Sequence, residues 1–249
     1  MFSQSLYALE KSIYWSAEAV VALSPSIQSA VQKKVPGKKV FVIPNMADTE
    51  YFTPEKKPSD LVSKFGVSGK FVISYIGAVG FANGLDYLLE CANVARKAQL
   101  PIHIFIVGDG ALKERLKDNA TKLGLANLTF LDFRNREGVR EIFNITDAAF
   151  ICYKSVPILE TGSPNKFFDG LAAGKLIIIN FGGWIRKEIE ENRCGIFVNP
   201  LQPLDFIAKI KPFLADQKQL QAYQESSRQL AERKYSRKIL SKSFVELFK

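Results

Sequence analysis

The chain has 249 residues, 47% hydrophobic and 24% charged, with a net charge of +9; this is the balance of a globular protein with an ample core, not of a disordered or fibrous chain. The positive charge suits anionic partners in general, whether nucleotides, nucleic acid or an anionic membrane face, and does not choose among them. Cys91, Cys152 and Cys194 lie far apart without metal-ligand spacing, which argues against a disulfide framework or a zinc site and predicts buried thiols in a reducing compartment.

At the start, Met1-Phe-Ser-Gln-Ser-Leu lacks the basic opening and long apolar stretch of a signal peptide. Residues 1–35 read as a helix, a strand over 19–23 and a second helix, broken by Pro36-Gly37-Lys38-Lys39. A strand over 40–43 follows, and then a Pro-rich, charged connection over 44–70. From there short apolar runs at 71–76, 102–107, 128–131, 148–152 and 176–179 alternate with helical stretches at 85–97, 111–123, 136–144, 164–173 and 185–191. The runs are apolar throughout, as in strands covered on both faces, so the alternation predicts a doubly wound, Rossmann-like parallel sheet with right-handed crossovers. Gly124 and Gly174 stand where left-handed helix caps are expected. From Pro203 onward the pattern is almost wholly helical, and its basic residues read as a solvated face. No apolar run is long enough to span a bilayer, so a cytoplasmic location is expected.

In such a sheet, ligands bind beyond the carboxyl ends of the strands, where three segments fall. The first is Gly77-Ala-Val-Gly80-Phe-Ala-Asn83-Gly84, leading into a helix. Its glycines allow close approach of an anion to the backbone, but the spacing is neither a dinucleotide fingerprint nor a P-loop. A tight turn explains it equally well. The second, Gly108-Asp109-Gly110, reads as a turn in which Asp109 caps the next helix. The third is Glu160-Thr-Gly162-Ser163-Pro-Asn165-Lys166-Phe-Phe-Asp169. Ser163 followed by Pro164 reads as a helix start, with Ser163 as the cap. Lys166 opposes the helix dipole in the first turn, so it is expected to meet an anion there; Asp169 can accept from sugar hydroxyls. Ser24-Pro25 reads as a further helix cap. His103, the only histidine, lies within a strand and reads as a packed residue. No Ser/His/Asp, Cys/His or metal-ligand set can be assembled, which argues against hydrolases and metalloenzymes. The wrong glycine spacing, with no acid ending the next strand, argues against a dinucleotide oxidoreductase.

These segments in series resemble family 4 (group 1) glycosyltransferases of the GT-B fold, in the manner of bacterial O-antigen and capsule sugar transferases. The residues that carry the resemblance are Ala17-Glu-Ala-Val-Val-Ala-Leu-Ser24-Pro, Val42-Ile-Pro-Asn45-Met-Ala-Asp48 through Pro54, the Gly77–Asp86 turn, Val107-Gly-Asp-Gly110, Leu128-Thr-Phe-Leu, Thr146-Asp147-Ala148, Pro164-Asn165-Lys166 and Asp169-Gly-Leu-Ala-Ala-Gly174. The resemblance covers nearly the whole chain. It implies transfer of a sugar, with retention at the anomeric carbon, from a UDP- or GDP-linked nucleotide-sugar. It calls for no separate cofactor, no metal and no nucleic-acid partner. It implies a diphosphate held by Gly77, Gly80, Asn83, Gly84, Gly162, Ser163, Asn165 and Lys166, with Asp169 on the ribose and Arg134, beside Phe133, near the base. Glu160 and Lys166 are the implied catalytic residues.

Three departures from the family pattern stand out. Ala78 and Asn83 lie near the places of the usual Arg and Lys of the glycine-rich turn, which passes the cationic role to Lys166. The first member of the usual acidic pair falls on Thr161, with Glu160 the nearest acid, and the second member is Asp169 instead of Glu. Residues 1–35 resemble the end of an N-terminal acceptor domain, 36–235 the nucleotide-sugar-binding domain and 236–249 a crossover helix. The expected acceptor, a sugar or lipid-linked molecule, would then meet an N-terminal domain missing from this sequence, and the enzyme could contact the inner face of the plasma membrane. The alternative is a non-catalytic subunit that docks on a separate acceptor-domain chain.

Overall fold

A computed structural model describes residues 2–249, with side chains from Ser5 onward; Met1, part of the 1–35 segment, lies outside the described residues. The chain opens with α1 (Phe2–Ser16), β1 (Val20–Ala22), α2 (Pro25–Lys34) and β2 (Val40–Val42). Strands β1 and β2 pair in parallel as a two-stranded sheet, with Val20 opposite Val40 and Ala22 opposite Val42. Ala22, Val31, Val35 and Val40 form a small core beneath α2. Ser24 caps α2 as expected, accepting from the Ile27 N–H at 3.1 Å. Its hydroxyl also donates to Thr161 O at 2.6 Å and ties this unit to the main sheet.

After α3 (Ser59–Lys64) come β3 (Phe71–Ile76), α4 (Asp86–Lys97), β4 (Ile102–Val107), α5 (Lys113–Lys122), β5 (Leu128–Leu131), α6 (Arg136–Ile145), β6 (Ala148–Ile151), α7 (Asn165–Ala172), β7 (Leu176–Ile179), α8 (Trp184–Glu191) and β8 (Gly195–Phe197). The six strands form one parallel sheet in the order β5-β4-β3-β6-β7-β8. The expected doubly wound sheet is therefore present, and its order reverses between β3 and β6, where such sheets bind ligands. Strands β6 and β7 are buried along their whole length. One face packs on Leu88, Ala92, Leu116, Phe206 and Phe213, and the other on Phe143, Phe167, Phe168, Leu171, Ile185 and Tyr235. Covering both faces is why these strands read as continuous apolar runs without alternation.

The sequence reading misses two elements. Strand β8 is three residues long and begins at Gly195, where a Cβ would come within 2.5 Å of Ile177 O; it is too short to show a period. Helix α3 lies in the stretch read as a connection, and its six residues bury no side chain. At the C-terminus, α9 (Pro203–Ala215), α10 (Gln217–Leu230), a π-helical turn at Ala231–Tyr235 and α11 (Arg237–Glu246) follow in order. The connection from β2 threads back across this tail. Ala47 bridges Ser236 in parallel, and the Arg228 guanidinium donates to Thr49 O, Phe52 O and Ala172 O at 2.7–2.9 Å. Gly124 and Gly174 adopt the left-handed conformation at helix ends, φ 63° and 60°.

Candidate functional site

The loops after β3 and β4 pack directly on one another. A Cβ on Gly108 would fall 2.0 Å from Gly77 O, and one on Gly110 would fall 2.5 Å from Val79 O. The Val79 N–H donates to Asp109 O and the Gly77 N–H to Val107 O. Among the described residues, the Ala78 and Gly80 N–H groups of this turn find no acceptor. Gly77 contributes space: its Cβ would sit 2.9 Å from Lys166 Nζ, and its φ is +149°. Gly80 has ordinary backbone and open surroundings. Gly84 is left-handed, φ 58°, and rests against Lys154. The turn closes in a 3-10 turn at Phe81–Asn83, so α4 begins at Asp86, one residue later than expected.

Lys166 stands in the first turn of α7 and reaches across to this cradle. Its Nζ donates to Tyr75 Oη at 2.8 Å and to Asn83 Oδ1 at 3.4 Å. It lies 4.1 Å from the Tyr75 ring centroid and 5.8 Å from that of Tyr153. Among the described residues no carboxylate pairs with it. Burial lowers its pKa to about 8. Tyr75 and Asn83 brace this arrangement, both donating to Ala78 O, at 2.6 and 2.8 Å. Asn83, expected at the ligand, sits beside Lys166 in this cradle, with its amide on Ala78 O and Lys166 Nζ. Tyr75 escaped the sequence reading because a tyrosine in an apolar strand looks like core, and its side chain is indeed buried.

Asp169 lies one turn further along α7, on the wall of a cavity of about 710 Å³ shared with Asn45, Asp48, Arg134, Arg136, Asn165 and Arg237. Burial raises its carboxyl to about 6, with Arg136 opposing. Asp48 holds this wall together by pairing with both Arg136 and Arg237, and Arg136 stacks 3.9 Å from the Tyr51 centroid. A smaller cavity of about 320 Å³ lies over Gly77, Ala78, Gly108, Asp109, Phe133 and Arg134. Arg134 and Val139 line both cavities, so one groove runs across the carboxyl ends of β3, β4 and β5. Phe133 is 76% exposed at its end.

Two capping expectations are corrected. Helix α7 starts at Asn165, and Ser163 makes no cap bond. Its hydroxyl accepts from the Asn45 N–H at 3.2 Å, and its carbonyl accepts from Asn45 Nδ2 at 2.5 Å. The Pro164 ring fixes an extended residue just before the helix, so Ser163 lies one position too early to cap it. The Asp109 side chain accepts only from the Gly110 N–H beside it, four residues before α5 begins at Lys113. Gly162 O is taken by Trp184 Nε1 at 2.8 Å. Glu160 stands apart from both cavities, with its carboxylate against Gly182 and its backbone against Gly183, at the N-terminus of α8. The structure therefore brings Gly77, Asn83 and Lys166 together at the cradle and Arg134, Asn165 and Asp169 along the groove, while Ser163 and Gly162 position the chain between them. His103 is partly buried and bonds to Thr129 Oγ1 at 3.0 Å, a packing role.

The sequence profile described as Glycosyl transferases group 1 matches residues 59–230, most of the chain and all of the six-stranded sheet. The chain belongs to the group 1 glycosyltransferases. It is 25% identical over 181 residues to the putative colanic acid biosynthesis glycosyl transferase WcaI of Escherichia coli, covering 71% of this chain and 44% of that protein. The chain spans about half the length of the curated relatives it matches. Among solved structures, HepE of Anabaena, in complex with UDP and glucose, superposes with a TM-score of 0.79 at 18% identity, over 99% of this chain and 67% of that one. The C-terminal domain of a group 1 family protein, LpcC of Francisella tularensis, gives a TM-score of 0.62 at 17% identity, over 77% of this chain and 99% of that domain. The fold is that of the GT-B glycosyltransferases. No helix among the described residues is long and apolar enough to cross a membrane.

Proposed function

We propose that this group 1 glycosyltransferase chain is the donor-binding half of a retaining enzyme, taking a UDP- or GDP-linked sugar and passing it to a polysaccharide or lipid-linked acceptor. The observation that carries the reading is Lys166: a largely buried ammonium with no carboxylate partner among the described residues, set over a glycine-rich strand end whose Ala78 and Gly80 N–H groups lack acceptors there too. An ammonium so placed gains most from an anion that brings its own negative charge, and a diphosphate supplies two. In this reading Lys166 stabilises the departing nucleotide diphosphate as charge builds on its leaving oxygen. Asp169 accepts from the ribose hydroxyls, and Arg134 with Phe133 flanks the base. The groove's two cavities are of the size that small-molecule sites commonly have, about 300–1,000 Å³, and the HepE complex with UDP and glucose supports this ligand class by similarity of fold.

The acceptor would be held by a second domain. In support, β1 and β2 form a sheet of only two parallel strands whose outer face exposes Val21 and Phe41, and parallel sheets are ordinarily covered on both faces. The same observation supports the second reading, that the acceptor domain belongs to a separate chain. Calorimetry of the chain with UDP-, GDP- and TDP-sugars and the free nucleotides tests the donor assignment. Saturable binding of one nucleotide series is expected, and no binding of any at millimolar concentration would refute it.

A further inference from the structure

The connection from β5 to α6, which carries Phe133 and Arg134, spans only residues 132–135 and is fastened at both ends. Strand β5 ends in register with β4, where the Gly108 N–H donates to Leu131 O at 3.1 Å. At the far end Asn135 caps α6, its side chain accepting from the Gly138 N–H at 2.9 Å. A Cβ on Gly138 would fall 3.1 Å from Arg134 Cβ, so the glycine leaves room for the Arg134 stem along α6. The near end is held by charge. Lys113, at the start of α5, is 6% exposed, and its Nζ donates to Asp132 Oδ1 at 2.6 Å. Among the described residues Asp132 is its one ion-pair partner. Lys117, which also lies close enough to act on Asp132, pairs with Glu114 instead. A buried ammonium is seldom tolerated unpaired, so Lys113 fixes where Asp132 sits. The Asp132 side chain is itself 91% exposed, and a pair so open to water adds little to stability. What the pair determines is the path of the chain beyond it, which presents the exposed Phe133 ring and Arg134 to the small cavity over Gly77 and Asp109.

We propose that Lys113 and Asp132 are positioning residues for base recognition, a pin that presets the Phe133–Arg134 edge of that cavity before a nucleotide arrives. The role rests on the placement of the base beside Phe133 in the donor reading above. A base of any identity can stack on an aromatic face, and a ring already held in place spares the cost of ordering the loop on binding. The sign of the effect separates a pin from plain electrostatics. Removing the Asp132 carboxylate near an anionic ligand strengthens binding if charge alone matters, whereas releasing the loop weakens it.

The test is calorimetry of the full chain with UDP, GDP and inorganic pyrophosphate, on Asp132→Asn, Lys113→Met, Phe133→Ala and the double variant Asp132→Asn/Phe133→Ala. Asp132→Asn and Lys113→Met are each expected to weaken whichever nucleotide the parent binds more tightly by about fivefold or more. Asp132→Asn should leave pyrophosphate no weaker and the melting point within about 2 °C. In the Phe133→Ala background its effect on the nucleotide should shrink to about twofold or less, because it acts through the ring. If Lys113→Met does not fold, the exposed Asp132→Asn and this cycle carry the test. Nucleotide binding by Asp132→Asn that is unchanged or tighter, equal weakening of pyrophosphate, or additive effects of Asp132→Asn and Phe133→Ala would overturn the proposal. Unchanged nucleotide binding by Phe133→Ala would overturn the base placement itself, and the positioning role with it.

Discussion

Replacing Lys166 with Met should raise the stability of the ligand-free chain and lower its affinity for nucleotide-sugars. The amine pKa falls from 10.5 to about 8 through burial; at about 1.36 kcal/mol per pH unit this sets about 3 kcal/mol against the ammonium in the empty cradle. The folded state binds the proton less tightly than the unfolded chain, so between pH 8 and 10.5 stability rises with pH. The Met variant, with similar volume over the Tyr75 ring, escapes this penalty at neutral pH and lacks its share of that rise. A charge-assisted bond to the diphosphate is worth about 1.5–3 kcal/mol, or about 10- to 150-fold in affinity. The assay pairs thermal unfolding of both proteins from pH 7 to 10 with calorimetric titration of UDP and uridine. The variant should melt higher at pH 7, converge on the parent at high pH, and lose affinity for UDP but not for uridine. A variant that melts lower at pH 7, or that binds UDP as the parent does, would refute the reasoning.

Three further outcomes follow from the same geometry. Gly77→Ala sets a Cβ 2.9 Å from Lys166 Nζ at φ +149° and should cost about 1–3 kcal/mol of stability together with donor affinity; Gly80→Ala, on ordinary backbone, should stay within about 0.5 kcal/mol, both measured by denaturant unfolding. Because the Asp169 carboxyl titrates near 6 and is needed ionised to accept from the ribose, UDP affinity should fall as pH drops below 6. Asp169→Asn should bind more weakly at pH 7 and lose that pH dependence in the same titrations. Arg228→Met removes the donor to Thr49, Phe52 and Ala172 carbonyls and should destabilise the chain by about 2–4 kcal/mol, with proteolysis favouring the 44–58 connection.

The sheet was legible in the sequence because burial on both faces leaves continuous apolar runs, as at 148–151 and 176–179. Strand β8 was not, since its pairing is secured by the close approach of Gly195 to Ile177, a tertiary contact that leaves no period. Lys166 was legible as a cation set against its helix dipole, and Asp169 followed from the family pattern. The inner brace was not: Tyr75 looks like any core aromatic until its hydroxyl is seen between Lys166 Nζ and Ala78 O. Ser163 misled because a serine before a proline promises a cap, whereas its hydroxyl and carbonyl serve Asn45, 118 positions away in the chain. Such long-range polar partners carry no local signal.

A crystal structure of the chain with UDP tests the donor assignment most directly. A diphosphate oxygen should lie within hydrogen-bonding distance of Lys166 Nζ and the Ala78 or Gly80 N–H, with a ribose hydroxyl on Asp169. UDP bound elsewhere, or bound here with Lys166 still confined to Tyr75 and Asn83, would contradict it.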